Sequence, residues 1–263
     1  MTSYGDLVEQ ANVRHREIIE HLDLQAPAVP VPPVDLHPTA VVHPGVTFGQ
    51  SVTVEPFCIL GSPSGEPLHI GAGSIIRAYS RIEGGSTIGP RLETGNHTLI
   101  RGGNRIGENL RIGSYSSLEG NAEIGDFVRI HGRCEMTKGI LRDFSRVYGG
   151  TYITDNRRPP SYVNAPCVLE EGAVVTMGCI LVAGIRIGTG SYVAAGVVVS
   201  EDVPAGHMLR RDGSYRLLRD LWPPRYQADY PEDAWGRLAA LHGRMLDNLK
   251  EKLGEEAWYG EAA

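Results

Sequence analysis

Cysteine is scarce in this chain, four residues in 263, and Cys58, Cys134, Cys167 and Cys179 stand too far apart for a disulfide framework or a CxxC zinc motif. A reducing compartment suits them. Basic residues are also in deficit, 25 against 31 acidic, and the net charge of −6 argues against nucleic acid and anionic membranes as partners. Aromatic residues make up only 7%, and the most apolar run, Ala173 to Ile185, is too short and too broken by glycine to span a bilayer. The opening stretch MTSYGDLVEQ carries no basic-then-apolar leader, so the expectation is a cytoplasmic protein. None of the nine histidines pairs with another as HxxH or HExxH, and no metal is expected. The usual warrants for hydrolase, kinase and dehydrogenase chemistry are missing too: there is no GxSxG, no GxxxxGK[ST] and no GxGxxG between a strand and a helix.

Glycine (33) and proline (17) are plentiful, and with them comes a period of six. From Ile70 an aliphatic residue returns at Ile76, Ile82, Ile88, Ile100, Ile106, Ile112, Leu118, Ile124, Ile130 and Met136, broken only by Thr94. The same step fits Val42, Phe48, Val54 and Leu60 upstream. It resumes at Leu141, Val147 and Ile153 after a one-residue slip, and again from Leu169 to Val199. An even period keeps the inward side of a strand in phase, whereas a helix would smear the ladder around its surface. Units this short cannot form hairpins, so the expectation is an all-β solenoid of short parallel strands, three units per coil, stacked at about 4.8 Å into a prism ~40 Å tall. In such a prism Ile82, Ile100, Leu118 and Met136 share a column, and Glu83, Arg101 and Glu119 form an adjacent column of alternating charge.

Residues 1–35 read as a short N-terminal helix (4–24) and a proline-rich linker. Residues 36–206 carry the solenoid, and 207–263 form a C-terminal helical extension with an amphipathic stretch at 232–254. Helices at either end serve to cover the last coil or another subunit, because solenoid ends expose unpaired strand edges. The ladder is interrupted at 61–69 and in the loop 154–168, where Asp155 precedes two arginines and two prolines.

The broken rung lies in LETGNHTLIRGG, which puts Gly95, Asn96, His97 and Arg101 around one corner. His97 is the candidate general base, against the plainer role of a structural hydrogen-bond partner. His131 falls near two coils further on, about 10 Å along the axis.

The ladder, with units such as IGAGSI, IGENLR and IGTGSY, resembles the hexapeptide-repeat acyltransferases, which are left-handed parallel β-helices. The run from Glu93 to Gly132 is similar to members that acylate amino groups on nucleotide-linked sugars and carry TGHHxxIRE. His97 takes the second histidine's place, Asn96 stands at the first and Gly102 at the glutamate. The stretch from Val168 to Gly206 is similar to acyl-CoA-binding coils, with Thr176 and Ala194 replacing glycines, Ser200 at a common lysine, and no GNPA after the last coil. The resemblance implies a homotrimer binding acyl-CoA (acetyl-CoA or another thioester) in clefts between subunits. Met177, Gly178, Gly184 and Ala195 would border the pantetheine, while Asn96, Arg101, Glu119, His131 and Asp155 would face a nucleotide-linked amino sugar. Such transfer needs a base for the amine, here His97, and a donor for the oxyanion, expected to be a backbone N–H near Gly95 or Gly113. The alternatives are another amine or hydroxyl acceptor, a γ-carbonic-anhydrase-like zinc protein, and a non-catalytic trimeric scaffold.

Overall fold

The structure is a computed structural model and describes residues 34–157, 164–218 and 229–253. The expected N-terminal helix and linker, and the centre of the 154–168 loop, lie outside the described residues. From Val34 onward the chain winds into three sheets of parallel strands that form the sides of a prism: eleven strands in the first sheet, nine in the second and eight in the third. Partners within a sheet are 18 residues apart, as in Glu93 with Arg111, Leu99 with Ser117 and Arg105 with Glu123. The expected column Ile82, Ile100, Leu118, Met136 is present. So is the slip, which shortens the step between Glu123 and Ile140 to 17. The two interruptions lengthen single coils and leave the register of the next coil intact: Thr53 pairs with Ile75, and Ile140 with Val168.

The aliphatic rungs from Val54 to Val199 fill the interior and are almost fully buried, whereas Val42 in the first coil is 37% exposed and Phe48 is partly buried. Thr94, the broken rung, is buried as well, and its Oγ1 accepts the Arg77 backbone N–H at 2.8 Å. In the corner between the first and second sheets a column of small side chains turns inward, and each donates to a carbonyl of the next coil: Ser80 to Gly95 (3.0 Å), Ser116 to His131 (2.9 Å), Cys134 to Tyr148 (3.3 Å) and Cys179 to Ala194 (3.3 Å). Cys58 does the same toward Arg77 at 3.2 Å. Three of the four cysteines therefore stand in for hydroxyls. Burial pushes their thiols up, which removes them as nucleophiles.

On the outside of that corner Phe57, Tyr79, His97 and Tyr115 adopt left-handed backbone with φ of 56–63°. The strain at non-glycine residues is offset by ring stacking along the axis, with centroids 5.1, 4.8 and 5.0 Å apart in turn. Higher coils place Gly150, Gly178 and Gly196 at the same left-handed corner.

An antiparallel hairpin of β1 (His207–Leu209) and β2 (Tyr215–Leu217) ends the first sheet. The helix α1 (Trp235–Leu253) follows a 3₁₀ turn at Glu232–Ala234. It runs along the corner between the third and first sheets. Arg91 bonds Asp233, Arg237 bonds Asp126 and Asp143, Arg244 bonds Glu171, and Lys252 reaches the Ala205 carbonyl. Its buried face, Ala234, Leu238, Leu241, Met245 and Leu249, packs with Phe127, Phe144 and Tyr230. At 1.5 Å per residue the helix is ~28 Å long, about six coil spacings. Surface ion pairs contribute little to holding it, and burial of the apolar stripe contributes most.

Candidate functional site

A cleft of about 540 Å³ opens on the first sheet, and its composition follows from the register. The outward strand position carries Glu93, Arg111, Arg129 and Arg146 on successive coils. The position after the rung carries Arg77, Gly95, Gly113, His131 and Tyr148, so two glycines leave a notch between Arg77 below and His131 above. Those glycines are required. A Cβ on Gly95 would lie 2.2 Å from the Ser114 backbone N, and one on Gly113 would lie 2.3 Å from that of Gly132.

One wall is supplied by the returning chain at Asp229 and Tyr230. Arg146 donates from Nη2 to Asp229 Oδ2 at 2.8 Å and from Nε to the Tyr230 hydroxyl at 3.2 Å. Arg129 donates to Asn109 O (2.6 Å), Asn109 Oδ1 (2.7 Å) and the Asp229 carbonyl (2.8 Å). Both guanidinium groups lie over the Tyr230 ring, 4.5 and 5.2 Å from its centroid. Arg129 is 6% exposed and Arg146 4%. Burial pushes Arg129 down to about 10, with Arg111 and Arg146 adding to the effect, and the group remains a cation at neutral pH. Burial also works against the Arg146 charge, but Tyr230 and Asp229 outweigh it and hold Arg146 above the usual guanidinium range.

His131 stacks on Tyr148 at 4.3 Å and is open to the cleft on its other side. Partial burial, then the nearby Arg146 charge, hold its pKa below the ordinary value of about 6.5, so at neutral pH it is an unprotonated base. At the lower end Arg77 pairs with Glu55 (2.7 Å) and Glu93 (3.2 Å), and its hydrogen bond holds the Glu55 carboxyl below the usual range.

Of the residues expected from the sequence, Asn96 and His131 line the cleft. His97 does not. It is exposed, with its ring held between Tyr79 and Tyr115 on the corner outside. Arg101 and Glu119 pair with each other at 2.9 Å where the second sheet turns toward the third. Asp155 lies at that same corner in a later coil, 4.0 Å from Lys138. Met177, Gly178 and Ala195 follow the first sheet at the left-handed corner, whereas Gly184 sits at the next corner, against Ala165. The Gly95 and Gly113 N–H groups expected to serve an oxyanion are occupied, donating to the carbonyls of Ile112 (2.6 Å) and Ile130 (2.8 Å). Among the side chains of the lining, Asn96 is exposed, and Arg111 pairs with Glu93 at 3.2 Å.

The sequence reading passed over Arg111, Arg129, Arg146, Asp229 and Tyr230. The arginines carried a signal, a spacing of 18 and then 17 that matches the coil and its slip. The return of Asp229, 100 residues from Arg129, carried none.

Over 57 residues, 22% of this chain and 23% of the relative, the sequence is 42% identical to the 2,3,4,5-tetrahydropyridine-2,6-dicarboxylate N-acetyltransferase of Clostridium perfringens. The Staphylococcus aureus protein of the same name is 35% identical over 60 residues, 23% of this chain and 24% of that one. The chain spans about a quarter of the length of the curated relatives it matches. Among solved structures it is similar to the UDP-N-acetylglucosamine acyltransferase from Campylobacter jejuni, with a TM-score of 0.49 and 19% identity over 78% of this chain and 81% of that one. No family model matches the sequence.

Proposed function

We propose that the protein is an acyl-CoA-dependent N-acyltransferase whose acceptor amine enters the cleft on the first sheet, with His131 as the base. The observation that carries the reading is an imidazole held below its ordinary pKa in that cleft, in a chain that matches an N-acetyltransferase over 57 residues. An alkyl amine is mostly ammonium at neutral pH and must lose a proton before it can attack a thioester. That first proton goes to solvent, and His131 takes a second from the attacking nitrogen as the C–N bond forms. The C–S bond then breaks, and the thiolate recovers the proton from the imidazolium, a transfer that the Arg146 charge favours by disfavouring the cation. Asn96 would donate to the developing oxyanion.

The acceptor proposed from the sequence resemblance is a nucleotide-linked amino sugar. The acyl-CoA would follow the left-handed corner along Met177, Gly178 and Ala195. A second copy would cover the second sheet, where Tyr152, Ile180 and Val198 form an exposed apolar column beside Met177, and three copies would make the homotrimer. A second reading makes His97 the base at a subunit interface. Its support is that the stacked ring stands exposed on the outer face.

Acetyl-CoA turnover against a panel of amino sugars and small amines tests both readings. His131→Asn is expected to lower kcat/KM by about 10²–10⁴ and His97→Asn by less than tenfold. The reverse order would transfer the role to His97, and no turnover with any amine would end the transferase reading.

A further inference from the structure

We infer that the cleft holds its ligand by an oxyanion, a carboxylate or a phosphate, seated on Arg111, Arg129 and Arg146 beside His131. The site rests on the charges alone, while its role as the acceptor's anchor rests on the acyl-transfer reading above.

Four guanidinium groups line the cleft, Arg77, Arg111, Arg129 and Arg146, against two carboxylates, Glu93 and Asp229. This excess sits in a protein with a net charge of −6. Most outward arginines are matched by acids: Arg81 by Glu83 (3.2 Å), Arg101 by Glu119 (2.9 Å), Arg105 by Glu123 (3.7 Å) and Arg186 by Glu170, and in the cleft itself Arg77 by Glu55 and Glu93, Arg111 by Glu93 (3.2 Å) and Arg146 by Asp229 (2.8 Å). The first sheet alone stacks three arginines in register on adjacent strands, where like charges repel. A second groove of about 590 Å³, on the third sheet, holds Arg105, Glu123 and Arg142 and no histidine.

Arg129 decides the matter. Among the described residues no carboxylate pairs with it, every one of its hydrogen bonds ends on a neutral oxygen, and its Nε is buried without an acceptor. A buried cation without a counter-ion is costly, and the planar fork of a guanidinium matches carboxylate and phosphate oxygens. An incoming oxyanion supplies the missing charge. The glycine notch gives it room to approach, and its seat between Arg111 and Arg129 leaves the rest of the molecule directed toward His131.

The test is calorimetric titration of the full chain with inorganic pyrophosphate and with succinate, at low and constant ionic strength. Arg111→Gln, a change at a half-exposed side chain, is the probe, and Arg105→Gln on the third sheet is the control. Saturable 1:1 binding of either anion, weakened at least tenfold (~1.4 kcal/mol) by Arg111→Gln and unchanged by Arg105→Gln, is the expected result. Tighter pyrophosphate binding assigns the anchor to a phosphate, and tighter succinate binding assigns it to a carboxylate. No saturable binding of either, or equal weakening by both substitutions, overturns the site. Anion binding without acyl transfer would keep the site and remove the transferase reading. Acyl transfer with an acceptor KM unaltered by Arg111→Gln would keep the transferase and remove the anchor.

Discussion

Asp229 and Arg146 meet at 2.8 Å across 83 residues of sequence, with the arginine side chain buried and the aspartate half exposed. The contact ties the returning chain to the wall of the cleft and sets the charge beside His131, since Asp229 raises the histidine's pKa while Arg146 lowers it. Asp229→Asn is expected to cost about 1–2 kcal/mol, less than for a wholly buried pair because water reaches the aspartate. It should also drive His131 further below its ordinary value. Thermal unfolding checks the first effect. The acid limb of the kcat/KM profile, moving to lower pH, checks the second.

Because the folded state lowers the His131 pKa, the unfolded chain binds more protons over the acid range just below neutrality. Its contribution to stability is therefore fully present above the unfolded value of about 6.5 and is lost as the pH falls through the folded one. His131→Asn removes that dependence. Urea midpoints compared at pH 7.5 and 5 should fall less for the variant than for the parent protein.

Thr94 breaks the aliphatic ladder, and its bond to the Arg77 N–H accounts for a polar side chain there. Thr94→Val keeps the shape and orphans a backbone donor, at a cost of about 1–3 kcal/mol. Chemical denaturation should show that loss, while kcat stays within a few-fold. A hundredfold fall in kcat with unchanged stability would return Thr94 to the reaction.

Leu241 lies at the centre of the α1 stripe and is 1% exposed. Leu241→Ala should destabilise by about 2–5 kcal/mol. If α1 merely rested on the corner, the denaturation midpoint would not move.

The coils were legible because their cause is local. An inward aliphatic side chain every sixth position leaves its mark on the sequence whatever the outside does, which is why the column from Ile82 to Met136 and the slip before Leu141 could be written down in advance. The cleft depends on outward positions, where Arg111, Arg129 and Arg146 look like ordinary solvated charges until the 18-residue lag is applied to them as well. His97 drew attention through its neighbour Thr94, yet the two face opposite ways, one into the core and one onto the corner. Nothing local brings Asp229 and Tyr230 to the first sheet. That contact follows from the path of α1, fixed by an apolar stripe whose target, Phe127 and Phe144, lies about a hundred residues earlier.

The position of α1 changes how the prism should come apart. A bare stack of coils, each touching only its neighbours, can fray from either end one layer at a time. A helix fastened at Arg91 near one end and at Ala205 near the other works as a splint, so the layers between them are expected to melt together. Their amide protons should then share a single slow exchange rate, and the coils before Arg91 should open first.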